Sequence, residues 1–189
     1  NTALAKVGNV ISLNLIANKD IHTPSIALVI GSTSVTHSGG TGSGSSYGTT
    51  YTVQSGQDGA VTFTIDASDN AGNTVQRTTT SNGTSVTVDT TNPSFSTVDI
   101  SSNTATITLA KHGDVVTLNL TASETVNQPY VVFKSGGAST SNSPTYSGSG
   151  TQWAAAYTVN TADTDGSVTF TIDASDNAGN NAIQVTSPT

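Results

Sequence analysis

The 189-residue chain has no cysteine and no methionine, only five Lys and Arg, and 9% charged residues. Each shortage excludes something. Without cysteine there is no disulfide framework, and the redox compartment cannot be read from thiol usage. The lack of both sulfur residues makes the chain resistant to oxidation. Five basic residues against twelve acidic give a net charge of −7 with no basic cluster. That balance argues against nucleic-acid binding, which needs Lys and Arg to neutralise phosphates, and against docking on anionic membranes. No apolar run approaches the length of a membrane span. The N-terminus is not signal-like, so in a secreted protein that segment is expected to have been removed or to lie elsewhere. No helical periodicity of useful length occurs.

Ser and Thr, by contrast, make up about a third of the chain, the largest departure from average usage. Low charge with 33% hydrophobic residues would be compatible with disorder. The apolar residues, however, are β-branched or aromatic and they alternate with polar ones. Val61, Phe63, Ile65 and Ala67 alternate with Thr62, Thr64 and Asp66, and Ile11, Leu13, Leu15 and Ala17 with Ser12, Asn14 and Ile16. One apolar and one polar face is the pattern of an antiparallel strand packed on one side. Thr then covers the exterior.

The strongest signal is a repeat. "VTFTIDASDNAGN" stands at Val61–Asn73 and again, unchanged, at Val168–Asn180, 107 positions on. "LAKVGNVISLNL" (Leu4–Leu15) matches "LAKHGDVVTLNL" (Leu109–Leu120) at an offset of 105, and "YTV" (Tyr51–Val53) matches Tyr157–Val159 at 106. The drift places one insertion between Leu15 and Tyr51, around the Gly/Ser-rich run Ser38–Gly48, because loops absorb insertions and strands do not. Trp153 takes the place of Tyr47 and is expected to point inward. "SGQDGA" and "NTADTDGS" read as turns before the repeated strand, each ending in Asp-Gly.

About seven short strands per copy give an all-β chain of two tandem immunoglobulin-like antiparallel β-sandwich domains, residues 1–92 and 93–189. Asn92-Pro93 breaks the ladder at the join. The second copy begins with "SFSTVDISSNTATITLAKHGD", a full first strand that the first copy lacks. The first copy ends with "TVQRTTTSNGTSVTVDTT", while the second stops at "NAIQVTSPT". A sandwich short of an edge strand exposes a groove of apolar side chains and unpaired backbone groups. Two explanations compete: an excerpt from a longer tandem array, or a missing strand supplied in trans by neighbouring chains.

"TLAKHGDVVTLNLTASETV", the aromatic strand carrying Trp153, "DGSVTFTIDASDNAGN" and "VTVDTTNPSF" together resemble the tandem bacterial and archaeal immunoglobulin-like repeats of large cell-surface proteins, adhesins and surface-layer proteins. The resemblance spans nearly the whole chain. It implies an extracellular, cell-surface setting, repeated domains in one chain and no catalytic residues. Asn9 departs from the pattern, standing where Asp114 does in the second copy.

Among residues that carry chemistry, the repeated acidic turn leads. Asp66 and Asp69 recur as Asp173 and Asp176, each followed by Asn and a Gly that permits tight backbone. Clustered hard oxygens suit calcium, and Asp89 at the join adds a ligand if the linker folds back. The alternative is a turn whose Asp and Asn cap their own backbone. No EF-hand spacing is present. His22, His37 and His112 show no metal spacing, and no Ser-His-Asp arrangement recurs, so the chain is not expected to be an enzyme. Lys6 and Lys111 read as solvated turn lysines.

The expected role is that of a non-catalytic module in a repetitive surface protein: an adhesin stalk, a surface layer or a filament subunit. Its partners are then copies of itself or neighbouring repeats. The alternatives are a glycan- or cell-surface-binding module using the loops Ser32–Gly48 and Ser135–Gly150, which differ between copies, and a virion decoration domain.

Overall fold

A computed structural model describes residues 2–37 and 40–187. Ser38 and Gly39 of the Gly/Ser-rich run lie outside the described residues. The chain divides into two compact units, Asn1–Thr91 and Asn92–Thr189, and no helix occurs among the described residues.

Unit 1 contains β1 (Thr2–Ala5), β2 (Val10–Ile16), β3 (Ser25–Ile30), β4 (Thr33–His37), β5 (Thr41–Ser43), β6 (Ser46–Thr52), β7 (Gly59–Ser68), β8 (Thr74–Arg77) and β9 (Ser85–Val88). They form one sheet in the order β1-β9-β7-β3-β4, with β8 also on β7, and a second in the order β2-β6-β5. Unit 2 contains β10 (Phe95–Ser102), β11 (Val115–Ala122), β12 (Tyr130–Ser135), β13 (Ala138–Ser139), β14 (Thr145–Ser149), β15 (Gln152–Thr158), β16 (Val168–Asp173) and β17 (Val185–Thr186). Its sheets run β10-β11-β15-β14 and β13-β12-β16-β17. Each unit is a sandwich of the immunoglobulin-like kind, antiparallel except for the β1–β9 pair of unit 1. Strands outnumber the seven expected because short ribbons such as β5 and β13 add pairings that periodicity over two or three residues cannot reveal.

The alternation drives the packing. In unit 2, Val116, Leu118 and Leu120 from one sheet meet Val131, Phe133, Phe170 and Ile172 from the other, all buried. The Phe133 and Tyr157 rings lie 4.9 Å apart. In unit 1, Ile11, Leu28, Ile30, Val53 and Val88 form the matching core, with Phe63 packed on it. The registers agree: Leu28 pairs with Phe63 as Phe133 pairs with Phe170. Likewise Tyr47 pairs with Leu15 as Trp153 pairs with Leu120. Trp153 is half-buried against the core and its indole N–H donates to the Gly150 carbonyl at 3.2 Å.

The Asp-Gly pairs follow the turns rather than forming their centres. In unit 1 the turn falls on Ser55–Gly56, and Gly59 already opens β7. Gly59 sits at φ 121°, and a Cβ there would lie 2.7 Å from the Gly31 Cα. Gly166 repeats this against Gly136, at φ 143° and 2.9 Å. The glycine is there to let two hairpins touch backbone to backbone.

The units differ at one edge. In unit 1, β9 runs parallel to β1, pairing Thr2 with Ser85 through Ala5 with Val88, and antiparallel to the start of β7 at Gly59 and Ala60. In unit 2, β10 pairs along β11 from Phe95 to Ser102, a pairing that no described strand makes on β2. Residues 107–110, which align with β1, form a turn and coil rather than a strand.

Candidate functional site: the acidic turn and the closing-strand slot

The acidic turn is a closed hydrogen-bonded loop in both units. Asp69 N–H donates to the Asn73 carbonyl at 3.0 Å. In return the Asp69 carboxylate accepts from Ala71 N–H, Asn73 N–H and the Asn73 amide at 2.9–3.0 Å. Asp176 repeats the pattern, accepting from Asn180 N–H at 2.8 Å and from its amide at 2.7 Å. Asp, Asn and Gly at this spacing fold that way because a short carboxylate reaches amides two to four residues on.

Asp66 and Asp173 stand apart from the turn. Asp66 is exposed and accepts from the Gln76 amide across the strand pair, as Asp173 does from Gln184, both at 2.8 Å. Asp89 donates its N–H to the Ala5 carbonyl and accepts from Thr91 N–H within unit 1. The structure therefore separates Asp66 from Asp69 in role, and Asp173 from Asp176.

Two residues not singled out from sequence complete the turns. In unit 1 the Lys19 ammonium lies 2.7 Å from Asp69 Oδ2. The Asn73 amide, then Lys19, hold the Asp69 carboxyl far below the usual carboxylate range. In unit 2 the aligned position is Glu124, and one of its carboxylate oxygens lies within 4.8 Å of one from Asp176. The 105 offset carries this signal: Ala17 aligns with Ala122, so Lys19 falls on Glu124. One unit meets its buried acid with a cation of its own, the other with a second acid.

The second feature is the slot that β9 fills. In unit 1 the Asp58 carboxylate accepts from Thr90 N–H, from the Thr90 hydroxyl at 2.9 Å and from the Thr91 hydroxyl at 3.2 Å. The Thr90 N–H is the main cause of its lowered pKa. Tyr51 OH accepts from the Gln57 amide at 2.7 Å, and Gln57 itself accepts from Gln54 N–H. Val88 is 1% exposed. In unit 2 Tyr157 and Asp165 occupy the places of Tyr51 and Asp58, while Thr164 replaces Gln57. There a cleft of about 480 Å³ opens between residues 107–112 and residues 159–168, with Tyr157 in its wall. The Tyr157 hydroxyl is buried and makes no hydrogen bond among the described residues. Burial, then the Asp163 charge, raises its pKa.

No family model matches the chain, and no curated protein matches it. Among solved structures it is similar to the I-band fragment I67–I69 from titin, at 14% identity and a TM-score of 0.56. The alignment covers 98% of this chain and 60% of the titin fragment, so the chain spans less than two thirds of that neighbour. At that identity the likeness concerns fold alone: the chain consists of tandem immunoglobulin-like domains.

Proposed function

We propose that the chain is a non-catalytic structural module of a repetitive extracellular surface protein, an adhesin stalk, surface layer or filament subunit, which associates with like modules through its sheet edges. The observation that supports this best is the duplication itself. The same core registers, the same Asp–Asn turn and the same glycine contact recur in both units. Repetition of this kind adds length rather than a new site. Pulling single chains in a force spectrometer should give two unfolding events, each releasing roughly 30 nm for a domain of this size. Antibodies to unit 2 should label intact cells of the source organism. One merged event would remove the spacer reading, and labelling only after lysis would remove the surface setting.

Calcium binding is retained for unit 2 alone, at Asp176 and Glu124, because Lys19 occupies the corresponding place in unit 1 with its own positive charge. Millimolar calcium should raise the melting temperature of unit 2 and leave unit 1 unchanged, since a ligand that binds only the folded form must stabilise it. Glu124→Lys should abolish the rise. A rise that survives this change would sink the assignment.

A further inference from the structure

We propose that the exposed turn Asn82-Gly83-Thr84 of unit 1 is a self-modification site, at which the Asn82 amide closes on the Gly83 backbone nitrogen and is converted to an aspartyl or isoaspartyl residue. The reaction needs only water, and it is independent of the module role above.

Asn82-Gly83 is the one Asn-Gly pair in the sequence, and it stands in the loop between β8 and β9. Asn82, Gly83 and Thr84 are all exposed. Gly83 holds φ 69°, and no atom lies within 4 Å of the position a Cβ would take. Nothing therefore shields the nitrogen beside the Asn82 side chain. Neither the Gly83 N–H nor the Asn82 amide nitrogen bonds to another described residue. The attacking atom and the departing atom are both left to solvent.

The Asn82 amide oxygen, by contrast, is doubly held. It accepts from the Thr84 N–H at 3.1 Å and from the Thr84 hydroxyl at 2.8 Å. The Thr80 hydroxyl donates to the Thr84 carbonyl at 2.8 Å and ties off the loop. Negative charge builds on the amide oxygen as the Asn82 Cγ turns tetrahedral, and donors already in place there lower the barrier. The asparagines of the two acidic turns lack this combination. Asn73 and Asn180 donate their amides to Asp69 and Asp176, and Thr74 and Asn181 follow them in place of glycine.

The chemistry balances within the loop. Hydroxide takes the Gly83 N–H proton, the nitrogen attacks the Asn82 Cγ, and a five-membered succinimide closes. The attack is intramolecular, so the nitrogen acts at a high effective concentration. The Cγ–Nδ2 bond breaks, and the nitrogen leaves as ammonia after taking a proton from water. A second water then opens the ring. Attack at Cγ gives aspartate, and attack at the Asn82 main-chain carbonyl gives isoaspartate. Either product adds a negative charge to a chain that already carries −7. The isoaspartyl form also lengthens the main chain by one carbon just ahead of β9.

The test holds the intact chain in warm buffer across a series of pH values. Trypsin then releases Asn82 on the peptide Thr78–Lys111. Conversion appears as a gain of about one dalton, placed by fragmentation, and an isoaspartate-specific methyltransferase labels the rearranged product. The rate at Asn82 should rise in proportion to hydroxide, because the nitrogen must lose its proton to attack. It should exceed the rates at Asn73 and Asn180 by about tenfold or more. Gly83→Ala should slow it by about tenfold, since a Cβ then crowds the nitrogen. Thr84→Val should slow it severalfold and Thr84→Ser should restore it, a rescue that a merely loosened loop would not give. Circular dichroism melts confirm that each variant folds. An Asn82 that keeps its amide through the whole series removes the site. Equal rates in Thr84→Val and Thr84→Ser would mean that the hydroxyl gives no assistance and that the assigned chemistry is wrong.

Discussion

Unit 1 and unit 2 carry thirteen identical residues in the same strand and turn, yet their edges are finished in opposite ways. Unit 1 adds β9 to one sheet and clasps Thr90 and Thr91, just beyond it, with the Asp58 carboxylate. Unit 2 instead covers β11 with β10 and leaves Tyr157 and Asp165 facing a cleft. Their acidic turns differ as well, with Lys19 against Asp69 in one and Glu124 near Asp176 in the other. The lesson is that the core positions tolerate little divergence because both sheets must interlock on them, whereas an edge position changes meaning with its neighbour. The same Asp is a clasp where a Thr faces it and an exposed, solvated carboxylate where none does.

The comparison breaks most violently in the cores. Phe133 is 2% exposed and stacks on Tyr157, while its counterpart Leu28 is equally buried without the aromatic partner. Phe133→Ala should cost unit 2 about 3–5 kcal/mol, and Leu28→Ala should cost unit 1 about 2–5 kcal/mol. Because Trp153 reports on unit 2, its fluorescence transition should move only with the first change. Far-UV circular dichroism should show the second as an early partial loss. If either change shifts both transitions together, the units do not fold independently.

A smaller effect concerns the clasp. Asp58→Ala should destabilise unit 1 by about 1 kcal/mol, a discounted figure because the carboxylate is exposed to solvent. Asp165→Ala should leave unit 2 unmoved. Acid tests the same difference without mutation. Asp58 and Asp69 have lowered pKa values in the folded chain, so each stabilises the fold above the ordinary carboxylate pKa of about 4. That stabilisation is lost as pH falls through the folded value. In unit 2 Asp163 is held down in the same way by Asn160 and Ser141 N–H groups. Between pH 5 and 2, unit 1 should therefore lose more stability than unit 2. Equal losses would mean that Lys19 and Thr90 contribute nothing.

How much of this the sequence disclosed depends on the range of the interaction. The strands around Ile11, Phe63, Val116 and Phe170 were legible because one buried face imposes a period of two on the residues themselves. So was the Asp–Asn turn, whose bonds span four residues. The reason for Gly59 was not legible, because it is Gly31 on another hairpin, and no local pattern carries that contact. Lys19 and Glu124 were missed for a related cause. Each acts across about fifty residues, and only a residue-by-residue alignment of the two copies exposes the change of sign. The outward direction of the Asp66 carboxylate was legible too, from the same alternation. It turns Asp66 and Asp173 to the opposite face of the strand, where Gln76 and Gln184 meet them.

The finest test uses two tyrosines at one structural position. Tyr51→Phe removes the acceptor for the Gln57 amide, which sits in a partly buried bond of 2.7 Å. That change should cost unit 1 about 1 kcal/mol, since a buried donor then loses its partner. Tyr157→Phe removes a buried hydroxyl with no partner and keeps the ring against Phe133. Deleting an unsatisfied group from an apolar wall should leave unit 2 as stable as before or more stable by up to about 1 kcal/mol. The two substitutions are chemically the same, so opposite signs in thermal melts would isolate the environment as the cause. A cost in unit 2 matching that in unit 1 would show that the Tyr157 hydroxyl has a hydrogen-bond partner in solution.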